Sequence, residues 1–140
     1  MCNNLGYTLI KQKKYAEAIV YFDKAIKIDP NWDFPLNNRG YCKLQIADLK
    51  GAFEDISKAC EMNPFNSFAW RNLGACYLKT NEFEKALENF EEAEKIDSKT
   101  ELINFYLGKT HEKLGNKEKA EKCLNKSIEL NEYIDTLNAF

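Results

Sequence analysis

The stretch Trp70-Arg71-Asn72-Leu73-Gly74-Ala75-Cys76-Tyr77-Leu78, with the break Thr80-Asn81 and the run Phe83, Ala86, Leu87, Phe90, Ala93 behind it, decides the fold. Trp70, Leu73, Gly74, Tyr77 and Leu78 recur at helical intervals and fall on one stripe. The second run forms another stripe. Glu84, Lys85, Glu88, Glu91, Glu92 and Lys95 lie mostly outside it and make a solvated face. Two helices joined by a short polar turn therefore account for this part of the chain.

The same pattern extends in both directions. Gly6, Gly40, Gly74 and Gly108 are 34 residues apart, and Ala18, Ala52, Ala86 and Ala120 keep the same period. Ala25, Ala59 and Ala93 follow, with Ser127 in the fourth copy, and Phe22, Ile56, Phe90 and Leu124 supply a large apolar side chain between them. Small residues at these positions let helices approach closely, and bulk there would overpack the contact. Pro30 and Pro64 close the first two copies. Asp97-Ser98 and Leu130-Asn131 end the others with polar residues. A fixed period of this length marks a stack of identical supersecondary units. The periodicity predicts eight helices, near 2–12, 15–28, 35–46, 49–62, 67–79, 83–96, 101–113 and 117–130.

Trp70, Leu73, Gly74 and Tyr77, with the alanine and aromatic downstream in register, resemble the signature of the tetratricopeptide-repeat (TPR) family. The resemblance implies an all-α, right-handed α-solenoid of four helix–turn–helix units. The units fall at about 1–32, 33–66, 67–100 and 101–132. Lys43 and His111 stand where the pattern has a packing tyrosine, and Asn104 stands where it has the tryptophan. His111 is therefore expected in the core rather than as a base. Tyr133, Ile134, Leu137 and Phe140 are spaced like an apolar stripe, so residues 133–140 either cap the array or begin a further helix. The first helix starts only a few residues before Gly6, and the natural chain is expected to extend upstream.

Composition narrows the function classes. Of 140 residues, 44% are hydrophobic and 30% charged, with a formal net charge of -2. That balance suits a folded domain and offers no electrostatic footprint for nucleic acid or an anionic membrane. No apolar run approaches the roughly 20 residues that span a bilayer. The five cysteines form no CxxC pair and the chain has one histidine, so neither a disulfide framework nor a zinc site is expected. No phosphate loop or nucleophile motif is present. The expectation is a cytoplasmic scaffold that is not an enzyme, needs no cofactor or metal, and is monomeric in isolation.

TPR arrays line their concave side with the first helix of each unit, so the resemblance places the binding groove there. Two residues before the glycine stand Asn4, Asn38 and Asn72, with Tyr106 in the fourth copy. Carboxamides donate and accept at once. A row of them can hold the backbone of an extended peptide, as in the asparagine ladder of O-GlcNAc transferase and related TPR proteins. Their side chains are expected outside the core, on an uncharged seam. Tyr7 and Tyr41 follow their glycines, and Phe34, Phe68 and Leu102 lie six before theirs. About half of the apolar groove residues are expected to pack between units. The carboxylate clamp for chaperone C-termini needs converging cations. At its positions only Asn38 or Asn72 fits, and Arg71 is one residue out of register. The groove residues expected are thus Asn4, Tyr7, Phe34, Asn38, Tyr41, Phe68, Arg71, Asn72 and Tyr106, and the partner is a protein or extended peptide. The competing readings are a self-assembling structural module and a regulatory domain of an enzyme lying outside this fragment.

Overall fold

In the computed structural model, residues 2–130 form eight helices, and no strand occurs among these described residues. They are α1 (Cys2–Lys11), α2 (Tyr15–Ile28), α3 (Asp33–Gln45), α4 (Leu49–Met62), α5 (Ser67–Lys79), α6 (Phe83–Ile96), α7 (Ile103–Lys113) and α8 (Lys117–Glu129). The expected apolar stripe at 133–140 lies outside the described residues. Each helix packs on its neighbours in sequence, and the first helices α1, α3, α5 and α7 also touch in succession. The arrangement is a solenoid, in which each unit contacts only adjacent units.

The glycines seat one large side chain per unit. A Cβ on Gly74 would lie 2.6 Å from Phe90 Cε1, on Gly6 2.5 Å from Phe22 Cε1, on Gly40 2.5 Å from Ile56 Cγ1 and on Gly108 2.6 Å from Leu124 Cγ. Ala18, Ala52, Ala86 and Ala120 are buried beside them, as are Ala25, Ala59, Ala93 and Ser127. Phe22, Ile56 and Phe90 are wholly enclosed, so the period in the sequence is the period of the core.

The turn inside each unit is also periodic. Lys13, Ala47, Asn81 and Gly115 all have left-handed backbone, with φ of 59°, 67°, 60° and 81°. The next residue's N–H reaches back five residues in every copy: Lys14 to Leu9, Asp48 to Lys43, Glu82 to Tyr77 and Asn116 to His111, at 2.8–2.9 Å. These are Schellman ends, which satisfy the last carbonyls of each first helix.

Two helix starts differ from the sequence expectation by two residues, and the ends of α1, α3 and α8 come one residue early. Helix α3 begins at Asp33, two residues early, because Pro35 is tolerated within a first turn, where no intrahelical N–H bond is lost. Helix α7 begins at Ile103, two residues late. Leu102 is left-handed there (φ 66°), so Glu101 and Leu102 leave the helix that Ser67 and Phe68 join in the preceding unit. Without a proline to set the entry, Thr100 fixes this loop, its hydroxyl lying 2.6 Å from Asp97 O and 2.9 Å from Ser67 Oγ.

Of the copies without the packing tyrosine, the second and fourth put polar residues there and compensate differently. Lys43 joins an ion network: Arg39 forks onto Asp55 through Nε and Nη2, both at 2.8 Å, and reaches Asp23 through Nη1 at 2.9 Å. Lys43 Nζ lies 2.9 Å from the same Asp55, which is buried. The network joins α2, α3 and α4. Hydrogen bonding to Asp55 holds the Arg39 guanidinium well above its ordinary basicity. His111 is buried, with Nδ1 3.3 Å from Asn116 Nδ2. Burial, helped by Lys119, lowers its pKa below the usual 6.5.

Candidate functional site

The first helices place one residue of each register on a common face, and that face holds a cavity of about 280 Å³. Asn4 and Tyr7 come from α1, Phe34, Asn38 and Tyr41 from α3, Phe68, Arg71 and Asn72 from α5, and Tyr106 from α7. All nine residues expected from the sequence line it.

Their environments differ. Tyr7, Phe34 and Phe68 are exposed at 46%, 39% and 40%, which leaves aromatic surface on the rim. Tyr106 is buried and stacks on Phe90, with ring centroids 5.0 Å apart. Tyr15 meets Tyr41 edge to face at 6.2 Å. Burial raises the pKa of both Tyr41 and Tyr106 above the ordinary tyrosine value. Four residues after their glycines, Leu44 and Leu78 are buried and Ile10 is half-buried; Ile10 and the half-buried Leu102 line the cavity.

The asparagine row departs from the expectation in one respect. Asn38 Nδ2 donates to Asn3 Oδ1 at 3.1 Å, and Asn72 Nδ2 donates to Asn37 Oδ1 at 3.0 Å. Each carboxamide thus ties its first helix to the preceding one. Asn38 is half-buried, but Asn72 is only 3% exposed and belongs to the core. Asn37 is buried beside it at 1% exposure, and the hydrogen bond between them pairs polar groups that burial would otherwise leave unsatisfied. The seam is also charged rather than neutral. Arg71 Nε and Nη2 donate to Asn72 Oδ1 at 3.3 and 3.1 Å, and its guanidinium lies 5.2 Å from the Phe68 ring centroid.

Asn3, Lys11, Asn37 and Glu101 also line the cavity and were not among the nine expected residues. The late start of α7 leaves the Glu101 carbonyl to accept from Arg71 Nη1 at 2.9 Å. The Glu101 carboxylate lies 3.8 Å from Lys11 Nζ, so the first and fourth units meet across the cavity. Hydrogen bonding to the Tyr7 hydroxyl, then the charge of Glu101, raises the Lys11 pKa. Lys11 sits five residues after Gly6, a register the sequence reading did not assign to the groove. Glu101 could not be found without knowing where α7 begins.

Other chemistry is sparse. Among the described residues no three His, Cys, Asp or Glu side chains gather as a metal site. Cys42, Cys60 and Cys76 are buried, and burial pushes their thiols up to about 12, so they behave as apolar fillers. No helix among the described residues is long and apolar enough to cross a membrane.

The family model described as Tetratricopeptide repeat matches residues 1–31, and that described as Regulator of microtubule dynamics protein 1-3 matches residues 21–135. No curated protein matches the chain. Among solved structures, MamA 41-end from Desulfovibrio magneticus RS-1 is similar at a TM-score of 0.73 and 24% identity, over 93% of this chain and 73% of that one. A structure of MamA protein gives 0.73 and 23%, over 91% and 70%. The first TPR of Spaghetti (RPAP3), bound to the HSP90 peptide SRMEEVD, gives 0.72 and 23%, over 81% and 90%. At these identities the structures establish the fold alone.

Proposed function

Because the chain is a tetratricopeptide-repeat protein and belongs to the family described as Regulator of microtubule dynamics protein 1-3, we propose that its concave groove binds an extended protein segment. The observation carrying this reading is the convergence of three exposed aromatic rims and a carboxamide seam on one cavity built from all four first helices. Aromatic walls around a few convergent polar groups suit a peptide's side chains and backbone together. The role is that of a non-catalytic scaffold, cytoplasmic and monomeric in isolation, without cofactor, metal, membrane or nucleic acid.

Asn38 is the seam residue for reading a backbone, since its amide reaches Asn3 and its Oδ1 can still accept. A peptide array probed with the chain identifies ligands, and Asn38→Ala then tests the mode. The affinity should fall about tenfold, within the range for a lost buried partner, and by a similar factor for ligands of different sequence. Unchanged binding in that variant sinks the backbone-reading seam. The neighbour bound to an HSP90 peptide does not transfer its ligand directly, because the clamp's cation positions here hold Asn3, Phe68 and Asn72.

A second reading comes from the family description, which concerns regulation of microtubule dynamics. Co-sedimentation with polymerised tubulin tests it, and a chain that stays in the supernatant at micromolar tubulin counts against a direct contact. A self-assembling module would instead show mass rising with concentration in light scattering. A regulatory role beside an enzyme would show as an activity change on adding this array to that enzyme.

A further inference from the structure

A second cavity, of about 190 Å³, is lined by Leu78, Lys79, Asn81, Phe83, Lys109 and Lys113. Four of its six residues share registers with the first. Lys79 and Lys113 stand 68 and 102 residues after Lys11, Lys109 stands 68 after Tyr41, and Leu78 stands 68 after Ile10. Since Lys11, Tyr41 and Ile10 line the first cavity, the second adjoins the same concave side between the third and fourth units, at the end where Asn81 lies in the turn and Phe83 begins α6. Three lysines line it beside an apolar floor of Leu78 and Phe83, and no carboxylate lines it among the described residues. Glu112 is adjacent, 3.7 Å from Lys109. This concentration of positive charge belongs to a chain with net charge -2, whose acidic residues on α6 lie on its second-helix face.

We propose that this lysine-lined cavity takes the acidic side chains of a peptide whose apolar or aromatic residue occupies the first cavity. The proposal rests on the groove reading above and adds the ligand's charge. Tyr106 lines the first cavity and Lys109 the second, three residues apart, and Lys113 is seven from Tyr106. On a helix these separations are about 4.5 and 10 Å. An extended peptide advances about 3.3 Å per residue. The acidic block therefore lies within about one to three residues of the apolar anchor. Carboxylates in that block meet Lys109, half-buried beside the apolar floor, and the exposed Lys79 and Lys113, an attraction that salt screens.

The test uses the full chain and fluorescence anisotropy with three labelled ten-residue peptides. They share a central tyrosine and differ only in the four residues after it, which are all Glu, all Gln or all Lys. The Glu peptide should bind about tenfold tighter than the Gln peptide at 50 mM NaCl, and several-fold of that advantage should disappear at about 300 mM. Lys109→Gln with Lys113→Gln should erase the Glu preference, leave binding of the Gln peptide unchanged and leave the melting temperature unchanged. Equal affinity for the Glu and Gln peptides, or a preference that survives the double lysine variant, overturns the proposal. Phe34→Ala with Phe68→Ala separates it from the groove reading, because that pair should weaken all three peptides. If the double phenylalanine variant binds all three normally, the groove reading fails, and joint occupancy fails with it. If it weakens all three while the lysine variant changes nothing, only the acidic-ligand proposal fails.

Discussion

Asp55 shows how much one residue can bind together. It is buried, and it accepts a bidentate arginine and a lysine from α3 while Arg39 also reaches back to α2. Removing one partner of a buried ionic group leaves uncompensated charge, whereas replacing the whole set with well-packed apolar residues is often neutral or better. The chain contains that replacement, because Leu73, Tyr77 and Asn89 hold the corresponding registers in the third unit. Asp55→Ala alone should therefore cost about 3 kcal/mol, while Arg39→Leu, Lys43→Tyr and Asp55→Asn together should be neutral or stabilising. Urea midpoints at constant slope decide the matter, and an equally large loss in the triple variant would defeat the argument. His111 yields a pH prediction. Its native pKa is depressed, so below the ordinary value of 6.5 the unfolded state takes up a proton that the native state resists. This part of the stability is complete above pH 6.5 and is lost as the pH falls through it, by at most about 1.4 kcal/mol per unit. His111→Tyr, which restores the repeat pattern, should flatten the stability curve between pH 6.5 and 5, and a slope identical to that of the parent would refute the assignment.

At the scale of the element, the intra-unit turn is the most informative segment. It uses left-handed backbone in all four copies, yet only the fourth has glycine there. A side chain in that conformation carries a steric cost of about 1–2 kcal/mol. Ala47→Gly should thus stabilise the chain by about 1 kcal/mol, less the added entropy of the unfolded glycine, and Gly115→Ala should destabilise it by a similar amount. Thermal melts check both, and opposite signs would show that the turn relaxes on substitution. The sequence made the helices legible because the core repeats: Gly74 with Phe90 and Gly40 with Ile56 are one contact written twice. The registers that line the first cavity were legible for the same reason. What one copy does alone was not. Glu101 enters the groove because the fourth unit lacks a proline and Leu102 turns left-handed. Asp55 answers two cations in a register where the other copies hold Tyr21, Asn89 and Cys123. Asn72 was placed outside the core because residue type predicts exposure, whereas its partner Asn37 sits 35 residues away on the adjacent helix.

In the whole molecule, stability should follow position along the stack. Contacts join consecutive helices, or consecutive first helices, and none among the described elements reaches further as a packed pair; Lys11 and Glu101, both about half-exposed, touch only through a single ion pair. Exposed ion pairs contribute little, so the first and fourth units are not clamped together by it. Such an array behaves as a chain of units coupled to nearest neighbours. Helices α3 to α6 have a neighbouring unit on both sides and carry most of the fully enclosed side chains, including Ile56, Phe90, Cys42 and Cys76. Amide exchange should therefore be slowest in α3 to α6 and fastest toward α1 and α8, with protection falling stepwise by unit. Phe90 is the point at which to perturb this gradient, since it fills the seat left by Gly74 and stacks on Tyr106 of the next unit. Phe90→Ala should cost about 3–5 kcal/mol. The loss should appear as faster exchange in α5 to α8, with a smaller change in α1 and α2, because the coupling that links the third and fourth units runs through this side chain. Hydrogen exchange read by mass spectrometry on the two proteins distinguishes the cases. A uniform rise in exchange across all eight helices would mean that the array unfolds as one cooperative unit, and that nearest-neighbour coupling here is stronger than any single contact.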